Sequence, residues 1–165
     1  MPTLYIMCGL PFSGKTYLAR ELAKHLGIET FSYDELWCTV KAKENRDAPW
    51  DELCGVAEDK IRMALSSGKS IIYDTLNDTA GNREKLRRVA SEATGKAMLV
   101  YSETPMSVIL ERRQANLSSK QRHDVAEDNF QKAIAHFEPP LPSENATVYR
   151  PNEDLSEWLR RFKHT

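Results

Sequence analysis

Two apolar rhythms alternate along the chain. Short β-rich runs, LYIMC (4–8), IETFSY (28–33), SIIYD (70–74), KAMLVYS (96–102) and ATVYR (146–150), have the near-continuous hydrophobicity of buried strands. Between them apolar residues recur at helical spacing. Leu18, Leu22 and Leu26 form a stripe stopped by Gly27, and Leu53, Ala57, Ile61 and Leu65 form a second stopped by Gly68. Leu86, Val89, Ala90 and Ala93 mark a third that ends near Gly95. Thr104 and Pro105 read as the N-cap and first residue of a helix reaching about 115. Phe130, Ala133, Ile134 and Phe137 line another, ended by EPPLP (138–142), and Leu155, Trp158, Leu159 and Phe162 give an amphipathic closing helix.

Strands alternating with helices imply right-handed βαβ units, hence a mostly parallel sheet covered on both faces: an α/β fold. Two polar segments break the rhythm, KAKENRDAPW (41–50) and QANLSSKQRHD (114–124), and are expected to be functional excursions. With 165 residues, a single domain over 1–165 is expected. The balance of 23 basic against 24 acidic residues gives a net charge of -1, which argues against a global basic field for nucleic acid and leaves room for a local patch.

Cys8, Cys38 and Cys54 are widely spaced with no CxxC or Cys/His pairing, so neither a disulfide framework nor a zinc site is expected, and a reducing cytoplasm suits them. No run approaches the ~20 apolar residues of a membrane span, and MPTLYIMCGL lacks a basic leader, so no membrane association is expected. His25, His123, His136 and His164 are scattered and read as structural, with His123 set apart by its neighbour Arg122.

The candidate chemistry begins at GLPFSGKT (9–16), which matches GxxxxGK[ST] between a strand and a helix, the context that motif requires. Its glycines let backbone N–H groups turn towards phosphates, and the helix N-terminus adds its positive dipole end. Gly9, Pro11, Ser13, Gly14, Lys15, Thr16 and Tyr17 are the expected nucleotide-binding residues, with Lys15 reaching the β- and γ-phosphates and Thr16 ligating Mg²⁺.

Ligands of open α/β sheets collect at the carboxyl ends of strands, where Asp34 and Asp74 fall. Either could orient an acceptor hydroxyl and take its proton, or position water; either could instead simply cap the following helix. The segment from Glu111 to His123 carries Arg112, Arg113, Lys120 and Arg122 against one acid, a composition that suits a lid closing over phosphates or an ordinary solvated loop.

GLPFSGKT, FSYDEL, IIYDTLND and RHDVAEDNF with FEPP together resemble the P-loop kinases grouped around bacteriophage-type polynucleotide kinase and the zeta toxins, among the AAA-domain-containing predicted kinases. The resemblance runs from residue 3 to about 140 and implies a three-layer P-loop NTPase fold with a five-stranded sheet in the order 2-3-1-4-5 and a helical lid at about 111–124. It implies that Asp34 is the general base and that Asp74 helps organise Mg²⁺ and acceptor, with Thr75 and Asn77 alongside. It makes Arg113 and Arg122 the phosphate contacts of the lid and Arg112 the spare, and it implies ATP, a choice that rests on the resemblance because no NKxD-type motif specifies the base.

The acceptor side departs from that pattern. Phage-type polynucleotide kinases place an arginine shortly after the base, where DELW puts Trp37, which could stack a ring or pack in the core. Lys41, Arg46 and Arg83 could still build a basic approach for a 5′-hydroxyl end of RNA or DNA. The expected function is therefore transfer of the γ-phosphate of ATP to a hydroxyl acceptor, a polynucleotide end among the candidates. A small-molecule kinase of nucleoside, sugar-nucleotide or drug type and a nucleotide-hydrolysing switch or binding module are the alternatives.

Overall fold

The computed structural model describes residues 1–120 and 125–162. Five strands, β1 (Thr3–Cys8), β2 (Glu29–Ser32), β3 (Ile71–Asp74), β4 (Lys96–Ser102) and β5 (Thr147–Tyr149), form one sheet in the order β2-β3-β1-β4-β5. Every pairing is parallel, as the alternation with helices predicts. Among the described residues seven α-helices connect and close it: α1 (Lys15–Leu26), α2 (Tyr33–Glu44), α3 (Trp50–Ser66), α4 (Ala80–Glu92), α5 (Met106–Ser119), α6 (Glu127–His136) and α7 (Leu155–Leu159).

The central strand shows why both sheet faces are covered. Leu4, Ile6 and Cys8 of β1 point into a cluster with Ile61 and Leu65 of α3 and Val89 and Ala90 of α4. Tyr5 and Met7 point the other way, onto Leu18 and Leu22 of α1 and onto Trp158 and Phe162. Period-two alternation thus divides one strand between two apolar layers, which explains its unbroken hydrophobicity. Trp158 is fully buried and its indole N–H donates to the Val148 carbonyl at 2.7 Å, so the closing helix seals the β5 edge with its one polar atom satisfied.

Several local expectations shift. Residues 33–44, part of them in the charged excursion, form α2, which buries no residue and so shows no apolar stripe. A capping box starts it: Ser32 Oγ accepts from the Glu35 amide at 3.1 Å, and Glu35 accepts from the Ser32 amide at 3.0 Å. Helix α5 continues to Ser119, so much of the polar stretch after 114 is helical. Pro105, not Thr104, occupies its N-cap, because the Thr104 hydroxyl is turned away to donate to the Ser13 carbonyl at 2.8 Å. Trp37 is half-buried and not a core residue; the Lys41 ammonium sits 4.4 Å from its ring centroid.

Candidate functional site

The turn between β1 and α1 is held in conformations that few residues tolerate. Gly9 has φ 153° and Gly14 φ 92°. A Cβ on Gly9 would lie 2.7 Å from Ser13 Oγ and 3.1 Å from the Ser102 carbonyl. Gly14 is the left-handed N-cap of α1 and offers no side-chain cap, and the first turn of that helix holds no acid. The first amide groups of α1 therefore face outward with their positive dipole end unanswered, the geometry of an anion cradle.

Three donors converge on the back of this turn. The Ser13 carbonyl accepts from Ser102 Oγ at 3.1 Å, Thr104 Oγ1 at 2.8 Å and Arg112 Nη1 at 3.0 Å, and Arg112 Nη1 also reaches the Phe12 carbonyl at 3.2 Å. Arg112, which the resemblance leaves as a spare, is thus a brace of the P-loop. The sequence could not reveal this, since brace and loop are about a hundred residues apart. Buried Ser13 Oγ has no hydrogen-bond partner.

The turn opens onto a cleft of about 830 Å³ that Lys15, Thr16, Asp34 and Asp74 all line. The sheet order brings them together: β3 is hydrogen-bonded to β1, so Asp74 ends beside the P-loop, and β2 lies next outward with Asp34 just beyond its end. Asp74 is 5% exposed, and burial raises its pKa against the opposing charge of Lys15 and a hydrogen bond from Thr16; the charge of Asp34 raises it further. One of its carboxylate oxygens, Oδ1, is buried with no hydrogen-bond partner.

An orphaned carboxylate oxygen beside a threonine hydroxyl is a hard, oxygen-only donor pair, and it fits a divalent cation such as Mg²⁺ that keeps most of its water. Neither carboxylate caps a helix. Ser32 caps α2, leaving Asp34 exposed in its first turn, and Thr79 caps α4 through the Asn82 amide at 3.2 Å. The capping reading is therefore corrected for both. Tyr17 lines the cleft at 55% exposure, and Gly14 and Pro11 line it as well.

Asn77 lies outside the lining. It is buried with φ 47°, its side-chain amide donates to the Met7 carbonyl at 2.6 Å, and it ties the segment after Asp74 to β1. Arg113 has its guanidinium 2.7 Å from Glu127 and 4.4 Å from the Phe130 ring centroid, so α5 is pinned to α6 in this arrangement. Arg122 and His123 lie outside the described residues.

The basic approach built from Lys41, Arg46 and Arg83 is not assembled. Lys41 pairs with Asp47 at 3.1 Å, and Arg46 chelates Glu52 and also contacts Glu44. Arg83 is fully buried, bound to Glu144 and donating to the carbonyls of Asn77 and Glu138, because a bidentate carboxylate partner compensates its desolvation. The cations that line the cleft among the described residues are Lys15 and Arg20. Sequence reading also missed Tyr33 and Trp50, which line the cleft together with Asp34; Tyr33 reads as the end of an apolar run and Trp50 as the end of a charged one.

Comparison with known proteins agrees with this arrangement. Residues 4–140 match the AAA domain family, and the chain belongs to it. The human protein "6-phosphofructo-2-kinase/fructose-2,6-bisphosphatase 3" (Homo sapiens) is 28% identical over 161 residues, an overlap covering 83% of this chain and 31% of that one. The chain thus spans about a third of the length of the curated relatives it matches. Kti12 of Chaetomium thermophilum, solved in complex with ADP-AlF3, shares the fold with a TM-score of 0.74 at 21% identity, over 96% of this chain and 94% of that one. A gluconokinase from Sinorhizobium meliloti 1021 gives a TM-score of 0.67 at 18% identity, over 96% and 88%. The fold is that of P-loop kinase-like proteins.

Proposed function

We propose that this protein is a kinase that transfers the γ-phosphate of ATP to the hydroxyl group of a small molecule. The observation that carries this reading is the convergence of four groups, Lys15 and Thr16 of the P-loop with Asp34 and Asp74 from two neighbouring strand ends, on one cleft. A phosphate cradle alone needs no exposed carboxylate on the opposite wall; phosphoryl transfer to an alcohol does.

The α1 amides and Lys15 bind and orient the β- and γ-phosphates, and the three donors on the Ser13 carbonyl keep that cradle in register. Thr16 and Asp74 would hold Mg²⁺, which when bound supplies positive charge to the phosphate oxygens. Asp34 accepts the proton of the acceptor hydroxyl. As that oxygen bonds to the γ-phosphorus, the bond from the phosphorus to the bridging oxygen breaks, and ADP leaves with its electron pair. Arg112 braces the loop, and the lid arginine that the resemblance assigns to the transferring phosphate is Arg113, paired here with Glu127, or Arg122.

The motifs GLPFSGKT, FSYDEL and IIYDTLND support a place near the polynucleotide-kinase and zeta-toxin group within the family. The neutralised basic residues support a small acceptor over a nucleic-acid end. Calorimetric titration of ATP with Mg²⁺ tests the donor side: wild-type protein binds, and Lys15→Ala lowers affinity by at least about tenfold. Equal affinity in the two proteins would refute the phosphate cradle.

A further inference from the structure

The wall of the cleft beside Asp34 carries a feature that phosphoryl transfer itself does not require. Trp50, the first residue of α3, is 51% exposed and belongs to neither apolar cluster. Its ring centroid lies 4.4 Å from that of Tyr33, with 36° between the planes, and both side chains line the cleft. Tyr33 precedes Asp34 in sequence and is itself half-buried, so the ring contact sets the indole on a cleft that Asp34 also lines. A large aromatic residue with half its surface open, resting on a second ring at a helix start, forgoes hydrophobic burial in the free protein. Such a surface gains that burial when a flat or apolar-faced ring covers it.

Trp37, the other tryptophan near the base in sequence, is no competitor for this role. It does not line the cleft, and the Lys41 ammonium already stands over its ring. The cleft's other exposed aromatic residue, Tyr17, sits in the first turn of α1 on the P-loop side, so the two walls are chemically distinct.

We infer that the acceptor is a ring-bearing alcohol that stacks on Trp50 and thereby presents its hydroxyl to Asp34. This rests on the kinase reading above and narrows its acceptor to molecules with a flat or apolar ring face. Two sources share that chemistry: the base of a nucleoside and the C–H face of a pyranose sugar.

The test uses the full chain with Trp37→Phe to reduce background emission, saturated with a non-hydrolysable ATP analogue and Mg²⁺. Tryptophan fluorescence is titrated with a nucleoside panel (cytidine, uridine, thymidine), a pyranose panel (glucose, glucosamine, N-acetylglucosamine) and open-chain alcohols (glycerol, erythritol). Saturable quenching by one ring panel is expected and identifies the source. Calorimetry on that ligand should show Trp50→Ala weakening binding by about tenfold or more and Trp50→Phe staying within about threefold. Circular dichroism on each variant confirms folding.

Three results overturn the inference: equal binding by Trp50→Ala, preference for open-chain alcohols, or no binding by either ring panel. All three leave the kinase reading standing if ADP release still depends on a hydroxyl acceptor and Lys15→Ala still loses ATP affinity. That reading fails separately when nucleotide binding is indifferent to Lys15.

Discussion

Arg83 and Glu144 meet as a bidentate ion pair inside the protein, Nε to Oε2 at 2.9 Å and Nη2 to Oε1 at 2.7 Å, with the guanidinium side chain fully buried. Arg87 adds a third contact to Glu144 at 2.8 Å, and Arg83 Nη1 holds the Asn77 carbonyl at 3.1 Å. Through Asn77 and Met7 this interior pair supports the segment between Asp74 and α4. Replacing Arg83 with Met leaves Glu144 only partly compensated in a largely buried place. The expected cost is about 3–5 kcal/mol of unfolding free energy, measured by urea titration. A loss below about 1 kcal/mol would show that the pair is dispensable.

The same pair sets an acid limit. Hydrogen bonds from Arg83, against the opposing effect of burial, hold the Glu144 carboxyl at about 2, below its ordinary value near 4.5. The unfolded chain therefore binds the proton first, and stability rises with pH between these values. The contribution of Glu144 is present above about pH 4.5 and disappears as pH falls towards 2. Glu144→Gln should flatten that part of the stability profile; an unchanged slope would assign acid sensitivity elsewhere.

Asp34→Asn separates chemistry from folding. Because Ser32 caps α2, the substitution removes a proton acceptor and leaves the capping box in place. Turnover should fall by about 10²–10⁴-fold, while stability changes by less than about 1 kcal/mol. Retained turnover would remove Asp34 from the mechanism.

Arg112→Ala tests the brace behind the P-loop. It deletes the donor to the Phe12 and Ser13 carbonyls, and ATP affinity should fall by about tenfold, with Arg112→Lys intermediate because a lysine restores one point contact. Equal loss in both variants would indicate a planar or bidentate role for the guanidinium instead.

The sheet was legible because its signals are local. β1 is apolar on both faces, and GLPFSGKT sits directly between strand and helix. Asp34 and Asp74 were legible for the same reason, as acids at the ends of apolar runs. Helix α2 was not, since it buries nothing and its marks are polar ones, the Ser32/Glu35 pair with acids in the first turn and lysines in the last. Arg83 looked like a surface cation because its partner, Glu144, is 61 residues away and enters with the loop before β5. Trp50 was hidden in the same way: α2 and the turn after it fold back to lay its ring on Tyr33, a contact that no periodicity encodes.

The central claim is that one cleft joins a phosphate donor to a hydroxyl acceptor. Following the γ-phosphate of labelled ATP in the presence and absence of the nucleoside and sugar panels tests it most directly. The account predicts label in a phosphorylated acceptor, ADP release that depends on that acceptor, and loss of both in Lys15→Ala. Slow release of free phosphate at a rate indifferent to every acceptor would contradict it and mark the protein as a nucleotide-hydrolysing switch.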